Sequence, residues 1–158
     1  MSALIDNSIT IYEALDHIKN GKYVMPAFQR QYVWSMEQIE KLWDSILLDY
    51  PIATFLFWHV DDDNVSWDTY FCNFLSEVTF DSVNYELSNI NVKMTDMAVL
   101  DGQQRLTSLF LSLFGRAYIR QKHARKKVAG GTVVKLLIEL NKHKLTVDEE
   151  EYNSKKFD

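Results

Sequence analysis

The chain has 158 residues, of which 47% are hydrophobic, 13% aromatic and 25% charged, enough for one compact domain with a real core. Four Trp, nine Phe and eight Tyr exclude a disordered chain. A formal net charge of −5 excludes a global basic field that would draw the protein onto nucleic acid or an anionic membrane, so any nucleic-acid contact has to use a local patch.

The first helix is announced by "TIYE", where Thr10 caps and Glu13 reaches back, and Ile11, Leu15 and Ile18 follow at helical spacing. Asn20 and Gly21 end it in a left-handed turn, and "KYVM" reads as a short strand before Pro26. In "SMEQ", Ser35 and Gln38 form a second capping box, and Ile39, Leu42, Trp43, Ile46 and Leu47 make one apolar stripe behind it. Tyr50 and Pro51 stop that helix. "IATFLFWHV", residues 52–60, is aromatic and short, and is expected to be a buried strand.

Residues 61–96 read as a strand-rich insertion, opening on a solvated acidic loop and passing through strands at 71–80 and 85–94. "MAVL" is a strand feeding a third helix, with Leu106, Leu109, Phe110 and Leu113 as its core stripe. Ala117, Ala124 and Val128 continue a small apolar face, so that helix is expected to reach about Lys127. "AGG" ends it, "TVVKLLIEL" is a β-branched strand, and residues 146–158 form a charged, frayed tail. The whole is a single domain over 1–158 of α+β (mixed α/β) class, a small mixed sheet with helices packed against it.

Cys72 is the only cysteine, which excludes an intramolecular disulfide, and no Cys/His spacing supports a zinc site. No signal peptide and no apolar run near the roughly 18 residues of a membrane span is present, so a soluble cytoplasmic protein is expected.

The chemistry concentrates in "VLDGQQRLTSL". A strand turning tightly into a helix leaves the first helical N–H groups unpaired, and the helix dipole favours an anion there. Gly102 lets backbone approach a ligand, Arg105 adds a forked cation suited to phosphate oxygens, and Gln103 and Gln104 suit a ligand or an attacking water. Asp101 suits either a magnesium ion held between phosphates or a helix cap. The plain alternative is a common Asp-Gly cap followed by good helix formers on a solvated face. A cation in a first helical turn is disfavoured by the dipole, so without ligand Arg105→Ala is expected to leave stability nearly unchanged. A second stretch, "VMPAFQRQYVW", mixes aromatics with Gln29 and Arg30, a composition suited to a base or sugar beside a phosphate. Tyr32 and Trp34 read better as a wall packed on the core.

Together, "MPAFQRQYVW", "SILLDYPIATFLFW" and "VLDGQQRLTSL" resemble the N-terminal domain of GmrSD-type, modification-dependent (type IV) restriction enzymes, from about Tyr23 to Phe114. The resemblance implies a ParB/sulfiredoxin-like fold, a bound nucleoside triphosphate with Mg2+, and a C-terminal or partner nuclease domain acting on DNA, modified DNA included. It implies that Gln29, Arg30, Gly102, Gln103, Gln104 and Arg105 bind nucleotide, with Asp101, Gln104 and Arg105 catalytic and Asp101 the metal ligand. The chain shows no nuclease motif of its own, and the oligomeric state stays open, a homodimer included. Sulfiredoxin chemistry itself is set aside, because no nucleophilic thiol stands beside the turn.

One further patch stands out. On a helix, Arg116, Arg120, His123 and Lys127 would form a ridge fit to follow a DNA phosphate backbone, or a solvated helix end with cations complementing the dipole. Two functions remain: a nucleotide-hydrolysing regulatory domain of a restriction or phage-defence system, or a ParB-like phosphate- or DNA-binding module without significant turnover.

Overall fold

Helix α1, Ile11–Lys19, starts where Thr10 accepts from the Glu13 N–H and Glu13 accepts from the Thr10 N–H at 2.9 Å. Those two bonds satisfy orphan donors at the helix start, and the Thr10 N–H together with the Thr10 hydroxyl, which donates at 2.8 Å, hold the Glu13 carboxyl below its usual range. Gly21, at φ +69°, turns the chain into strand β1, Tyr23–Pro26. Helix α2, Met36–Leu47, opens on the reciprocal Ser35–Gln38 capping box and ends where Asp49 takes φ 59°. The computed structural model describes residues 9–27, 31–59, 71–80, 97–120, 131–139 and 144–150.

Strand β2, Leu56–His59, follows, then β3, Phe71–Cys72, and β4, Glu77–Phe80. Strand β5, Met97–Asp101, leads through Gly102 into helix α3, Gln103–Leu113. Strands β6, Arg116–Arg120, β7, Gly131–Glu139, and β8, Lys144–Glu150, complete the order. They form two four-stranded sheets, β2-β5-β1-β3 and β4-β6-β7-β8. Each mixes directions: β1 lies parallel to β5 and β4 parallel to β6, and the other pairs are antiparallel. The α+β expectation holds.

Helix α3 joins the two halves. Leu106, Leu109 and Phe110 enter a core with Ala14, Leu15, Ile18, Tyr23, Leu42, Phe74 and Val99. Leu111 enters a second core with Tyr32, Ile39, Leu75, Val78 and Phe80. Every residue from 106 to 111 is buried, so the helix is covered on all sides, unlike an ordinary amphipathic surface helix.

Four sequence expectations meet a different outcome. Residues 52–60 do not form one buried strand: β2 covers only Leu56–His59, with Leu56 and Trp58 exposed. Its place at the end of the sheet order explains the exposure, and Ala53, at φ 66°, breaks the extended backbone before it. The third helix does not reach Lys127 but stops at Leu113, and residues 116–120 are strand. A side chain on Gly115 would meet Leu111 Cα and the Ser76 carbonyl at 2.8 Å, and Arg116 donates to that carbonyl at 2.9 Å. The chain therefore leaves the helix to pair with β4. A helical ridge of Arg116, Arg120, His123 and Lys127 does not exist: Arg116 and Arg120 lie in β6, and His123 and Lys127 lie outside the described residues. Residues 146–150 of the expected frayed tail pair with β7 as part of β8.

The expected strands within residues 71–80 are present, and they do more than decorate the fold. β3 forms one edge of the first sheet and β4 one edge of the second, and Phe71, Phe74, Leu75, Val78 and Phe80 are buried. The strand expected at 85–94 lies outside the described residues. Cys72 is a half-buried strand thiol whose pKa burial pushes up.

Candidate functional site at the start of α3

Strand β5 delivers Asp101 to the mouth of the turn, and Gly102 reverses the chain at φ +86°. Only glycine fits there for two reasons. The left-handed backbone disfavours a Cβ, and a Cβ would stand 2.2 Å from Phe55 Cδ1. The close approach that Gly102 allows is thus to Phe55, a neighbour in the fold. The first helical bond runs from the Leu106 N–H to the Gly102 carbonyl at 2.9 Å. The N–H groups of Gln103, Gln104 and Arg105 precede it, at the positive end of the dipole, and α3 has no side-chain cap. The expected cap role of Asp101 is therefore not made.

The side chains of the turn brace its surroundings. Gln103 is buried and donates its amide back to the Val99 carbonyl of β5. Gln104 accepts from the Val33 N–H at 3.0 Å and donates to the Gln31 carbonyl at 3.1 Å. Arg105 donates to the carbonyls of Ile52 and, at 2.8 Å, Thr54. Its guanidinium lies over the Phe55 ring, 4.6 Å from the centroid, and 3.6 Å from the exposed Asp101 carboxylate. The side chain is 16% exposed. Arg105 thus has ample structural reason to stand in a first turn, which overturns the expectation that its removal is harmless without ligand.

Two residues that sequence reasoning missed complete the arrangement. Ser108 donates to the Gln104 carbonyl at 2.7 Å, so its oxygen accepts from the buried Tyr32 hydroxyl at 2.9 Å. Burial pushes the Tyr32 hydroxyl up to about 12, with the Ser108 bond pulling the other way. A hydroxyl one turn after Gln104, inside an apolar stripe, was the available signal for Ser108. Phe55 had none, because its partner Gly102 is distant in sequence. As the sequence suggested, Tyr32 belongs to the core wall.

These residues surround a cleft of about 180 Å3 lined by Trp34, Leu100, Asp101, Gly102, Gln103, Gln104 and Arg105. Of the sequence candidates, the structure gathers Asp101, Gly102, Gln103, Gln104 and Arg105 here. Gln29 and Arg30 lie outside the described residues. Arg116 is elsewhere, on β6, 3.5 Å from Glu77 with both side chains exposed. Among the described residues no group of three His, Cys, Asp or Glu could hold a metal ion. Among the described residues no helix is long and apolar enough to cross a membrane.

Fold and turn define the class first: an α+β domain organised around a braced Asp-Gly-Gln-Gln-Arg strand–turn–helix. The family follows from comparison. Residues 11–158 match the GmrSD restriction endonuclease, N-terminal domain, and the chain belongs to that family. It is also 35% identical over 103 residues to an uncharacterized protein of Methanocaldococcus jannaschii, covering 63% of this chain and 16% of that protein.

Proposed function

We propose that this domain is the nucleotide-sensing regulatory part of a DNA restriction or phage-defence system, and that it holds the phosphates of a nucleoside triphosphate at the start of α3. One observation carries the reading: three N–H groups precede the first helical bond and border a cleft whose side-chain walls are already braced. Such an end attracts phosphate through backbone donors and the dipole together. The cleft, at about 180 Å3, is smaller than the roughly 300–1,000 Å3 of a small-molecule pocket, so it suits the phosphates, with the nucleoside beside Trp34.

Binding as a switch is better supported than rapid turnover. Hydrolysis needs groups free to orient water and to offset developing charge. Gln104 and Arg105 are instead held in place by donating to backbone carbonyls. Asp101, exposed at the rim, is the carboxylate among the described cleft residues that suits a magnesium ion arriving with the phosphates. DNA cleavage belongs, in this reading, to a nuclease domain elsewhere in the system.

Calorimetric titration with ATP and GTP, each with magnesium, tests the reading, run beside a phosphate-release assay with and without DNA. Saturable binding of a triphosphate, far weaker binding of the matching nucleoside, and slow release are expected. Equal binding of nucleoside and triphosphate, or no binding of either, would remove the phosphate seat.

A further inference from the structure

Residues 31–34 belong to no strand, yet Trp34 from this strap lines the cleft. Their described polar ties to α3 are the two bonds of the Gln104 carboxamide and the Tyr32–Ser108 bond. The Gln104 bonds have the pattern of a strand partner: the side-chain oxygen accepts from one backbone N–H while the side-chain nitrogen donates to a carbonyl two residues away. Only a group carrying an acceptor and a donor on one planar head can do both.

We propose that Gln104 is a positioning residue: its carboxamide latches the backbone of Gln31 and Val33 to α3 and so fixes Trp34 as a wall of the cleft. Its effect on phosphate affinity passes through the strap and not through contact with the ligand. The ligand part of this inference rests on the nucleotide reading above, whereas the latch stands on the hydrogen bonds alone.

The chemistry of the latch supplies its own test. In Gln104→Glu, an ionised carboxylate accepts from Val33 N–H but turns an oxygen toward the Gln31 carbonyl, which repels it. A protonated carboxyl has one donor and one acceptor and restores both bonds. Folding therefore favours the protonated form and raises the variant's carboxyl pKa above its unfolded value, about 4.3 for an ordinary Glu. Stability from the restored latch is fully present below the unfolded pKa and is lost as pH rises through the folded one. The neighbouring charges act on the new carboxylate as well: Asp101 opposes its ionisation, Arg105 and the positive end of the helix favour it, and the latch requires that repulsion from the facing Gln31 carbonyl outweigh the latter. The strap's own titratable group, Tyr32, stays neutral across this range.

The experiment compares melting temperatures of wild type, Gln104→Glu and the similarly sized Gln104→Met from pH 4.5 to 8, without ligand. Affinity for ATP with magnesium is measured at both ends of the range. At pH 8 both variants should melt about 2–5 °C lower than wild type, from the loss of two partly exposed hydrogen bonds. Both should bind ATP about tenfold more weakly, a positional effect of the displaced wall. Toward pH 4.5 the Glu deficit should shrink by half or more in both readouts, while the Met deficit persists. A Glu deficit that does not change with pH would overturn the latch. So would a variant whose unliganded melting matches wild type at every pH while ATP binding collapses, since Gln104 would then touch the ligand. Should wild type bind no nucleotide, the proposed function fails, and the pH dependence of melting alone decides the latch.

Discussion

The two ends of α3 are closed in opposite ways. At its C-terminal end the backbone finishes the job locally: the Phe114 N–H bonds the Phe110 carbonyl at 2.8 Å and the Gly115 N–H bonds the Leu111 carbonyl at 3.2 Å. Leu113 and Phe114 stay exposed. At its N-terminal end no side chain among the described residues caps the helix. Instead Gln104 and Arg105 reach the strap at 31–33 and the loop at 52–54. A helix end that needs only to stop can be closed by its own carbonyls. On the proposed reading, an end that braces two distant segments and leaves its first N–H groups without a described side-chain cap keeps those groups for a phosphate.

The sharpest way to break the contrast is at Gly102. Gly102→Ala combines a left-handed backbone with a Cβ 2.2 Å from the Phe55 ring, and should lower unfolding free energy by about 2–4 kcal/mol in a denaturant titration. Adding Phe55→Ala should recover the clash but not the backbone cost, so the double variant falls short of additivity. Next comes Arg105→Ala, which strands two carbonyls and should cost about 1.5–3 kcal/mol without ligand. Arg105→Lys should recover less than half, because an ammonium cannot reproduce the fork.

A smaller effect belongs to Tyr32. Its folded pKa, raised to about 12, exceeds the ordinary 10, so between those values the folded state keeps a proton that the unfolded chain has lost. Stability should therefore fall as pH rises from about 10 toward 12, with a slope of at most about 1.4 kcal/mol per pH unit. Tyr32→Phe should flatten that slope in alkaline denaturation curves. Smallest is the other end of α3: Arg116→Ala breaks only an exposed pair with Glu77 and should shift stability by less than about 0.5 kcal/mol. A large loss there would erase the distinction between the two ends.

The same contrast explains what could be read from the sequence. The capping boxes at Thr10 and Ser35 depend on residues three apart, and they form as expected. The strand–turn–helix at Asp101–Gly102 was equally legible, because a short apolar run, a glycine and an apolar helical stripe lie side by side. The braces were not. Gln104 and Arg105 look identical in sequence whether they face a phosphate or a distant carbonyl, and nothing near Phe55 announces that its ring fills the space beside Gly102. The end of α3 was misread for a different reason. Helical spacing of small apolar residues past 114 hid the strand alternation of Ala117 and Ile119 and the stop at Gly115. Pairing with β4, a partner distant in sequence, decided between the two periods.

The most direct test of the account is a 1H–15N NMR titration of the chain with ATP and magnesium, following the backbone amides of Gln103, Gln104 and Arg105 and the Trp34 indole. The account predicts saturable shifts in these signals at one common affinity, with the amides of β6 and of residues 114–115 unmoved. Shifts confined to β6, or none at α3's first turn while nucleotide binds, would contradict it.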